Sequence, residues 1–468
     1  MGSGKIKAKD LKSINYINDQ SRSLAINIMS RHFKTVPKEE KLRLLNEVKE
    51  NPSQFLEHEF LAPLALSFTE KVELKTFEEF ELMKSTGLLN IFGQKHIEHS
   101  AIQQMELAMQ LPVSVQGALM PDAHHGYGLP IGGVLATRNA VIPYGVGMDI
   151  GCRMSLVICN AGADYLKRYE YQLKKALTDN THFGIEGHLE FPQEHEVLDR
   201  TEFMETALLR KLHGKAVKQL GSSGSGNHFV EFGIVEMWND NAFGLPAGNY
   251  LGILAHSGSR GLGAAIAQHY TQLAMKNCKL PKQAQQLAWF DLDSEAGVEY
   301  WRAMNLAGDY ARACHDRIRI NLCKAMDLEV IKTIENHHNF AWSETSESGE
   351  NIIIHRKGAT PASLGEAGII PGNMIDPGYI VTGMGEKASL CSASHGAGRK
   401  MSRNLARESI TSSSLLKMLS GKGITLIGGS PEESPLAYKN IDDVMNNQKM
   451  LVKTEGKFYP RIVRMNKE

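Results

Sequence analysis

The stretch from Met120 to Cys152 constrains the fold of this chain more than any other part. It begins Met-Pro-Asp-Ala-His-His-Gly-Tyr-Gly-Leu-Pro-Ile-Gly-Gly and ends Ile-Pro-Tyr-Gly-Val-Gly-Met-Asp-Ile-Gly-Cys. Glycines at this density let the backbone approach another segment, or a ligand, where a side chain would not fit. Asp149 and Cys152 are close enough in sequence for a carboxylate and a thiolate to bind neighbouring metal ions. The alternative interpretation is a glycine-rich turn around a buried cysteine.

Four later segments each place a histidine beside Gly, Ser or Asn, and together they favour a binding site. A single histidine of this kind is more often a structural hydrogen-bonding residue than a metal ligand. Several of them with an Asp-x-x-Cys indicate a cation, because buried imidazoles and a carboxylate rarely converge without one. The segments are residues 221–229, 255–261, 336–339 and 394–399.

These segments, in this order, resemble the RtcB family of RNA ligases, and the likeness covers roughly residues 88–468. The resemblance implies a mixed α+β fold, with one catalytic domain of β-sheets surrounded by helices and a helical extension over residues 1–87. It implies an enzyme that uses GTP and two manganese (Mn²⁺) ions per chain. Such an enzyme joins RNA 3′-phosphate or 2′,3′-cyclic phosphate ends to 5′-hydroxyl ends. The expected substrates are RNAs with broken ends, such as tRNA or rRNA fragments, in RNA repair or tRNA splicing.

The resemblance also implies the metal ligands. A thiolate bridges the two ions, two histidines complete one site, and a carboxylate with a third histidine completes the other: Cys152, then His228 and His256, then Asp149 and His338. His337 competes with His338 for its role, and Asn339 favours His338 because the family carries a His-Asn pair. Mixed nitrogen, oxygen and sulfur donors do not by themselves distinguish manganese from zinc.

His395 is the expected nucleophile. It lies in the sequence Ser-His-Gly-Ala-Gly-Arg, with no neighbouring carboxylate that would make it a metal ligand. A neutral imidazole is nucleophilic near pH 7, because its ordinary pKa is about 6.5. By resemblance, His395 attacks the α-phosphorus of GTP and carries GMP covalently. The alternative is a loop histidine that caps a helix.

The resemblance assigns further nucleotide contacts to the segments around these histidines and to a Pro-Gly-Asn-Met loop. These contacts are Asn227, His228, Phe229, Glu231, Asn339, Pro371, Gly372, Asn373, Met374, His395, Gly396, Ala397, Gly398 and Lys467. The spacing of Lys467 from Pro460 differs from that of the family's terminal lysine. Asp122 and His124, in a Pro-Asp-x-His segment, are expected to shape the site without binding metal.

Three departures from the family pattern concern nucleotide and RNA contacts. Gly378 closes an Ile-Asp-Pro-Gly segment where the family usually has Gly-Thr-x-Ser, so a serine that contacts GTP is missing. Ser394 stands where many members have cysteine, and Gly151 stands where the family has asparagine. Two other functions therefore stay open. One is a dinuclear-metal cyclic phosphodiesterase that processes RNA ends without ligation, and the other is a non-enzymatic RNA-binding protein.

Composition limits the remaining possibilities. The chain of 468 residues has no net charge, which argues against a passive polyanion binder. No apolar run approaches the roughly 20 residues that span a membrane, so no membrane partner is expected. Six scattered cysteines without paired spacing indicate free thiols in a reducing cytoplasm. Residues 1–87 carry no metal-type cluster, and we expect them to position the substrate.

Local patterns predict several elements of secondary structure. The predicted helices cover residues 37–50, 97–110, 261–277 and 293–334. The predicted strands cover residues 113–120, 154–158, 251–255 and 351–355.

Overall fold

The computed structural model describes residues 6–14, 16, 19–69, 78–84, 87–185, 187–346 and 349–467. The chain divides into two compact units, Met1–Phe77 and Glu78–Glu468. The mixed α+β class is confirmed, because helices and β-sheets both build the larger unit. The division at residue 87 stays a prediction, and the contacts divide the chain after residue 77.

The described part of the first unit is helical. The helix Lys38–Glu50 begins after Pro37, as predicted, and it buries Leu45 and Val48 in a core of its own. Tyr16 donates a hydrogen bond from its hydroxyl to the carbonyl oxygen of Leu45, at 2.6 Å. The expected role of this unit in positioning the substrate stays a prediction. Its helices are Ala8–Lys12, Asp19–His32, Lys38–Glu50 and Ala62–Thr69, with a 3-10 turn at Pro52–Phe55.

An eight-stranded sheet forms the centre of the second unit. Its seven main strands are antiparallel to their neighbours, and a short eighth strand, Thr425–Ile427, runs parallel to Val452–Met465. The order across the sheet is Val330–His337, Arg153–Gly162, Gly248–Ser257, Phe229–Met237, Val452–Met465, Gly378–Gly383 and Ala367–Ile370.

Smaller sheets flank the central one. A five-stranded sheet has the order Asn339–Thr345, Asn351–Lys357, Ile131–Arg138, Ser114–His124 and Leu88–Ile91. Three two-stranded sheets pair Glu78–Glu79 with Cys278–Lys279, Ala140–Val141 with Phe290–Asp291, and Ala359–Pro361 with Ser392–Ser394.

Helices pack around these sheets. Within the described ranges, none of them combines the length and the apolar composition that crossing a membrane requires. The α-helices of this unit are His99–Ala108, Pro143–Val146, Asp164–Arg168, Glu170–Asn180, Ala207–Gln219, Arg260–Asn277, Glu295–Met326, Arg403–Ser409, Ser412–Ser420 and Ile441–Asn446. The 3-10 turns are Gln94–His96, Glu196–Asp199, Thr201–Met204, Lys282–Leu287, Lys387–Ser389, Pro431–Glu433 and Pro435–Ala437.

The predicted helix over residues 293–334 was wrong at its end. The helix Glu295–Met326 stops where Asp327 takes a left-handed conformation, with φ of 49°. The strand Val330–His337 follows and pairs with Arg153–Gly162. Its β-branched residues favour an extended backbone, and pairing at the sheet edge overrides the helical pattern upstream.

Four neighbouring strands of the central sheet bring the expected ligands to one end of it. Antiparallel pairing sets the end of each strand beside the start of the next. His337 pairs with Arg153, and Phe229 pairs with His256. The residues that immediately precede or follow these strand ends therefore meet at the same edge.

A matched pair of glycine substitutions tests the packing of the central sheet. A Cβ at Gly233 would lie 2.4 Å from both the Phe458 ring and the Tyr459 carbonyl oxygen, whereas a Cβ at Gly214 would meet nothing within 4 Å. We expect Gly233→Ala to lower the free energy of unfolding by about 1–3 kcal/mol, as overpacking does. Gly214→Ala lies in a helix and should raise it by up to about 1 kcal/mol. Urea titration followed by circular dichroism measures both, and equal effects would contradict the packing.

Candidate functional site

A buried cysteine and two buried histidines form the centre of the site. The Cys152 Sγ lies 3.4 Å from Nε2 of His228 and 3.2 Å from Nε2 of His256. One donor atom from each residue lies within 4.8 Å of the other two. Within the residues that the structure describes, this is the one group of three such donors. A thiolate and two imidazoles at these distances can share a metal ion.

The other two expected ligands extend this group at its two ends. The Asp149 Oδ2 lies 3.0 Å from Nε2 of His228. Nε2 of His338 lies 3.2 Å from Nε2 of His256. All five expected ligands thus form one continuous row of donors around Cys152. His337, the competitor, lies apart from this row and packs between Phe340 and Trp342.

Backbone contacts orient the donor atoms. Nδ1 of His256 donates to the carbonyl oxygen of Asn227 at 3.0 Å, which leaves the Nε2 lone pair facing the cluster. The Ser259 amide donates to Asp149 Oδ1 at 3.2 Å. The Asn339 side chain donates to the main-chain carbonyl oxygen of Asp149 at 3.3 Å, so it fixes the backbone that carries this carboxylate. Partners of this kind fix the orientation of metal ligands in proteins.

Burial sets the protonation of the donors. It lowers the pKa of His256 and His338 well below the ordinary value, so both imidazoles are neutral near pH 7. Burial, with the nearby Asp149 charge, raises the pKa of the Cys152 thiol well above its usual range. Burial also opposes ionisation of Asp149, but His228, Cys152 and His256 together hold the pKa of this carboxyl below its ordinary value. Neutral imidazoles, a carboxylate, and a thiol that releases its proton when a cation binds are donors that fit a metal site.

His395 pairs with a fully buried carboxylate. Its Nδ1 lies 2.7 Å from Oδ2 of Asp122, and its backbone amide donates to the same oxygen at 3.2 Å. Burial opposes ionisation of Asp122, but His395, with smaller contributions from Lys439 and His124, holds the pKa of this carboxyl below its ordinary value. The ionised carboxylate accepts the proton on Nδ1, so Nε2 keeps the lone pair. The His395 ring lies 5.0 Å from the His338 ring, beside the donor cluster.

A cleft with a volume of about 220 Å³ adjoins His395 and the donor cluster. Most of the expected nucleotide contacts line it. Three of them, His228, Asn339 and Lys467, are not among its lining residues, and Lys467 is exposed. Burial raises the pKa of the Glu231 carboxyl, at the cleft wall, well above its ordinary value. The expected residues in the lining are Asn227, Phe229, Glu231, His256, His338, Pro371, Gly372, Asn373, Met374, His395, Gly396, Ala397 and Gly398.

A cluster of arginines and glutamates at the cleft was missed by the sequence analysis. Arg399 Nη1 lies 3.1 Å from Glu433, and Arg403 Nη1 lies 3.0 Å from Glu432. Tyr438 also donates to Glu433. The buried glutamates hold the two guanidinium groups at the cleft, where they can bind phosphate. The available signal was an arginine four and eight residues after His395, and nothing in the sequence marks the Glu-Glu pair as their partner.

Comparison with known proteins follows the same residues. A model of the family described as tRNA-splicing ligase RtcB matches residues 104–210 and 193–465. The RNA-splicing ligase RtcB of Escherichia coli (strain K12) is 32% identical over 387 residues, covering 76% of this chain and 91% of that protein. The RNA-splicing ligase RtcB of Mycobacterium bovis is 32% identical over 400 residues, covering 70% and 90%. The tRNA-splicing ligase RtcB of Thermococcus kodakarensis is 28% identical over 458 residues, covering 80% and 95%.

The fold and the clustered motifs thus agree with one family of proteins described as RNA ligases. The chain belongs to the RtcB family. The resemblance carried by the motifs is confirmed.

Cobalt binding tests the thiolate at the centre of the site. We expect the full-length chain to bind Co²⁺ with a sulfur-to-cobalt charge-transfer band in the near ultraviolet. Cys152→Ser should abolish that band and lower the amount of bound metal, because the thiolate is the softest donor of the cluster. Cys278→Ser is the matched control, since this cysteine is also buried but lies in another part of the fold. An unchanged band in Cys152→Ser would refute the assignment.

Proposed function

We propose that this chain is an RNA ligase that uses GTP and Mn²⁺. It joins RNA 3′-phosphate ends, or 2′,3′-cyclic phosphate ends after opening, to 5′-hydroxyl ends. The RNA-splicing and tRNA-splicing ligases to which it is similar support RNA ligation. The substrates are broken RNAs, such as tRNA or rRNA fragments.

The pair of His395 and Asp122 is the single observation that carries the proposal. A nucleophilic imidazole needs one nitrogen with a lone pair and a partner that stabilises positive charge on the ring. Asp122 supplies that partner through Nδ1 at 2.7 Å, and it is fully buried, which strengthens the interaction. Nε2 of His395 therefore acts as the nucleophile at the cleft.

Three transfers complete the reaction. Nε2 of His395 attacks the α-phosphorus of GTP, and the bond to the leaving pyrophosphate breaks. An oxygen of the RNA 3′-phosphate then attacks the phosphorus of GMP, and the bond to His395 breaks. Finally the 5′-hydroxyl oxygen attacks the 3′-phosphorus, GMP leaves, and the hydroxyl proton is lost. Arg399 and Arg403 line the cleft, where they would contact the phosphates of the nucleotide.

The donor cluster fits the metal that this chemistry requires. Cys152 would bridge two ions. Asp149 and His228 lie together at one end of the row and would hold one ion, and His256 and His338 lie together at the other end and would hold the second. The pairing expected from the resemblance, which joined Asp149 with His338, does not fit this order. Bound Mn²⁺ neutralises charge on the transferring phosphoryl group and orients the leaving group. The short separations between these donors, each about 3.0–3.4 Å, support a compact site. Asn227 and Asn339 hold the site through backbone contacts.

Two observations favour a second candidate, a cyclic phosphodiesterase that opens RNA ends without ligation. Lys467 is exposed and does not line the cleft, and Gly378 has no side chain with which to contact a nucleotide. Both features reduce the possible contacts to GTP. A chain that binds metal and opens a 2′,3′-cyclic phosphate, but forms no covalent GMP adduct, would be this second enzyme.

Removal of the nucleophile gives the decisive prediction. Wild-type protein incubated with labelled GTP and Mn²⁺ should form a covalent adduct that is labile in acid and stable in base, as a phosphoramidate is. His395→Ala should abolish the adduct and ligation while keeping cobalt binding, because His395 is not one of the five donors. A denaturing gel measures the adduct. Label retained on His395→Ala would place the nucleophile elsewhere, and no label on wild type would favour the phosphodiesterase.

The role of Asp122 gives a separate prediction. Asp122→Asn should slow adduct formation by a factor on the order of 10² or more, because a neutral amide no longer stabilises the charged ring or selects its tautomer. Single-turnover adduct formation measures this rate, and cobalt binding should stay unchanged. The matched control is Asp376→Asn, which changes a half-buried carboxylate in the same cleft. A rate for Asp122→Asn equal to that of the control would remove Asp122 from the mechanism.

A further inference from the structure

We propose that the helix Ala207–Gln219 carries a phosphate-binding track for one strand of the RNA substrate. The inference rests on the proposed function, because it says where the substrate of that same site runs. This helix contains four Lys or Arg residues and no Asp or Glu. All four cationic side chains are exposed: Arg210, Lys211, Lys215 and Lys218.

The three lysines of this helix form a row along one of its sides. Lys211, Lys215 and Lys218 stand at positions i, i+4 and i+7, which lie on the same face. The helix rise separates them by about 6 Å and about 4.5 Å along the axis. Like charges at this spacing repel one another, so helix stability does not account for the row. Within the described ranges, no ion pair involves any of the three.

Nearby acidic residues lie on the opposite side of the helix. His213, about half a turn from the lysine row, donates from Nε2 to the carbonyl oxygen of Leu198 at 2.9 Å. Its ring also packs against Phe203, with the ring centres 4.7 Å apart. These contacts set the acid-rich turns Glu196–Asp199 and Thr201–Met204 behind the helix. The lysine row therefore keeps its positive potential toward solvent.

The lysine row reaches the donor cluster through a short chain of contacts. Lys215 lies directly over Gly261, since a Cβ there would stand 2.3 Å from Cε and 2.6 Å from Nζ of Lys215. Gly261 and Arg260 follow Ser259, whose amide donates to Asp149 Oδ1 at 3.2 Å. A strand whose phosphates follow the row would thus arrive at the Asp149 end of the donor row. The other end of that row, at His338, lies beside His395.

The charge pattern of the chain favours RNA as the occupant. The whole chain has equal numbers of acidic and basic residues, so it does not attract polyanions everywhere. A local row of unpaired lysines that leads to the reacting phosphate gives a strand its direction and its position. An acidic protein could also bind these lysines, but its binding would not explain why the lysine row leads to the donor cluster.

A charge-neutralised variant tests the track in the full-length chain. The triple variant Lys211→Gln, Lys215→Gln, Lys218→Gln keeps good helix formers at all three positions. The matched control neutralises three exposed lysines on other helical segments: Lys276→Gln, Lys282→Gln and Lys324→Gln. Fluorescence anisotropy with a single-stranded 5′-hydroxyl RNA oligomer is measured over a series of salt concentrations for both variants and for wild type.

The expected result is a weaker salt dependence in the track variant alone. Each phosphate contact to a single strand contributes about 0.7 to the slope of log affinity against log salt, so three contacts should reduce it by about 2. The affinity at low salt should fall at least about tenfold. A double variant, Lys211→Gln with Lys218→Gln, should show about two thirds of the slope change of the triple variant. A change that follows the number of lysines removed does not come from misfolding.

Two outcomes would overturn the track. An unchanged slope in the triple variant would mean that this face contacts only solvent or binds an acidic protein. An equal loss of slope in the control variant would mean that only the total charge of the protein matters. Adduct formation by wild type with GTP and Mn²⁺ in the absence of RNA tests the proposed function separately. A wild-type chain without adduct but with a track-specific slope change would refute the ligase mechanism and retain the track.

Discussion

The antiparallel register of four neighbouring strands in the central sheet is the constraint on which the site depends. Met154 and Phe229 both pair with His256, so their side chains share one face of the sheet with it, and that face forms part of the cleft. A slip of one residue would turn His256 to the other face. It would also separate Cys152, one residue before its strand, from the imidazoles. The clustered donor side chains are therefore held by main-chain hydrogen bonds that extend far beyond the site.

Close backbone approach is the second requirement of this arrangement. A Cβ at Gly258 would lie 2.1 Å from Oδ1 of Asp149, and a Cβ at Gly398 would lie 2.1 Å from the carbonyl oxygen of Asp122. Gly398 also has a positive φ of 73°, which other residues rarely adopt. Gly258 thus lets its loop approach the Asp149 carboxylate, and Gly398 lets its loop approach the backbone of Asp122. Because a buried carboxylate is costly without partners, the contacts with His228 and His395 allow Asp149 and Asp122 to remain charged.

Short-range sequence signals predicted several helices and the motif histidines of this protein. Pro37 marks a helix start, and the predicted helix over residues 261–277 is present as Arg260–Asn277. Such signals act between residues a few positions apart, so the sequence contains them fully. The motif histidines were recognisable because glycine and serine beside a histidine are more typical of a binding site than of a hydrophobic core. Family membership followed from the order of these motifs.

Tertiary structure alone decided which residues meet. Asp122 and His395 are 273 positions apart, and no local pattern pairs them. The sequence favoured His338 over His337 only by resemblance, and the structure supplies the physical reason, because strand pairing sends His337 to an aromatic pocket and His338 to the donor row. Pairing at the sheet edge also ended the predicted helix early, after Met326. Short-range preferences determine which conformations a segment favours, whereas burial and strand register act between distant segments and select the side chains that form the site.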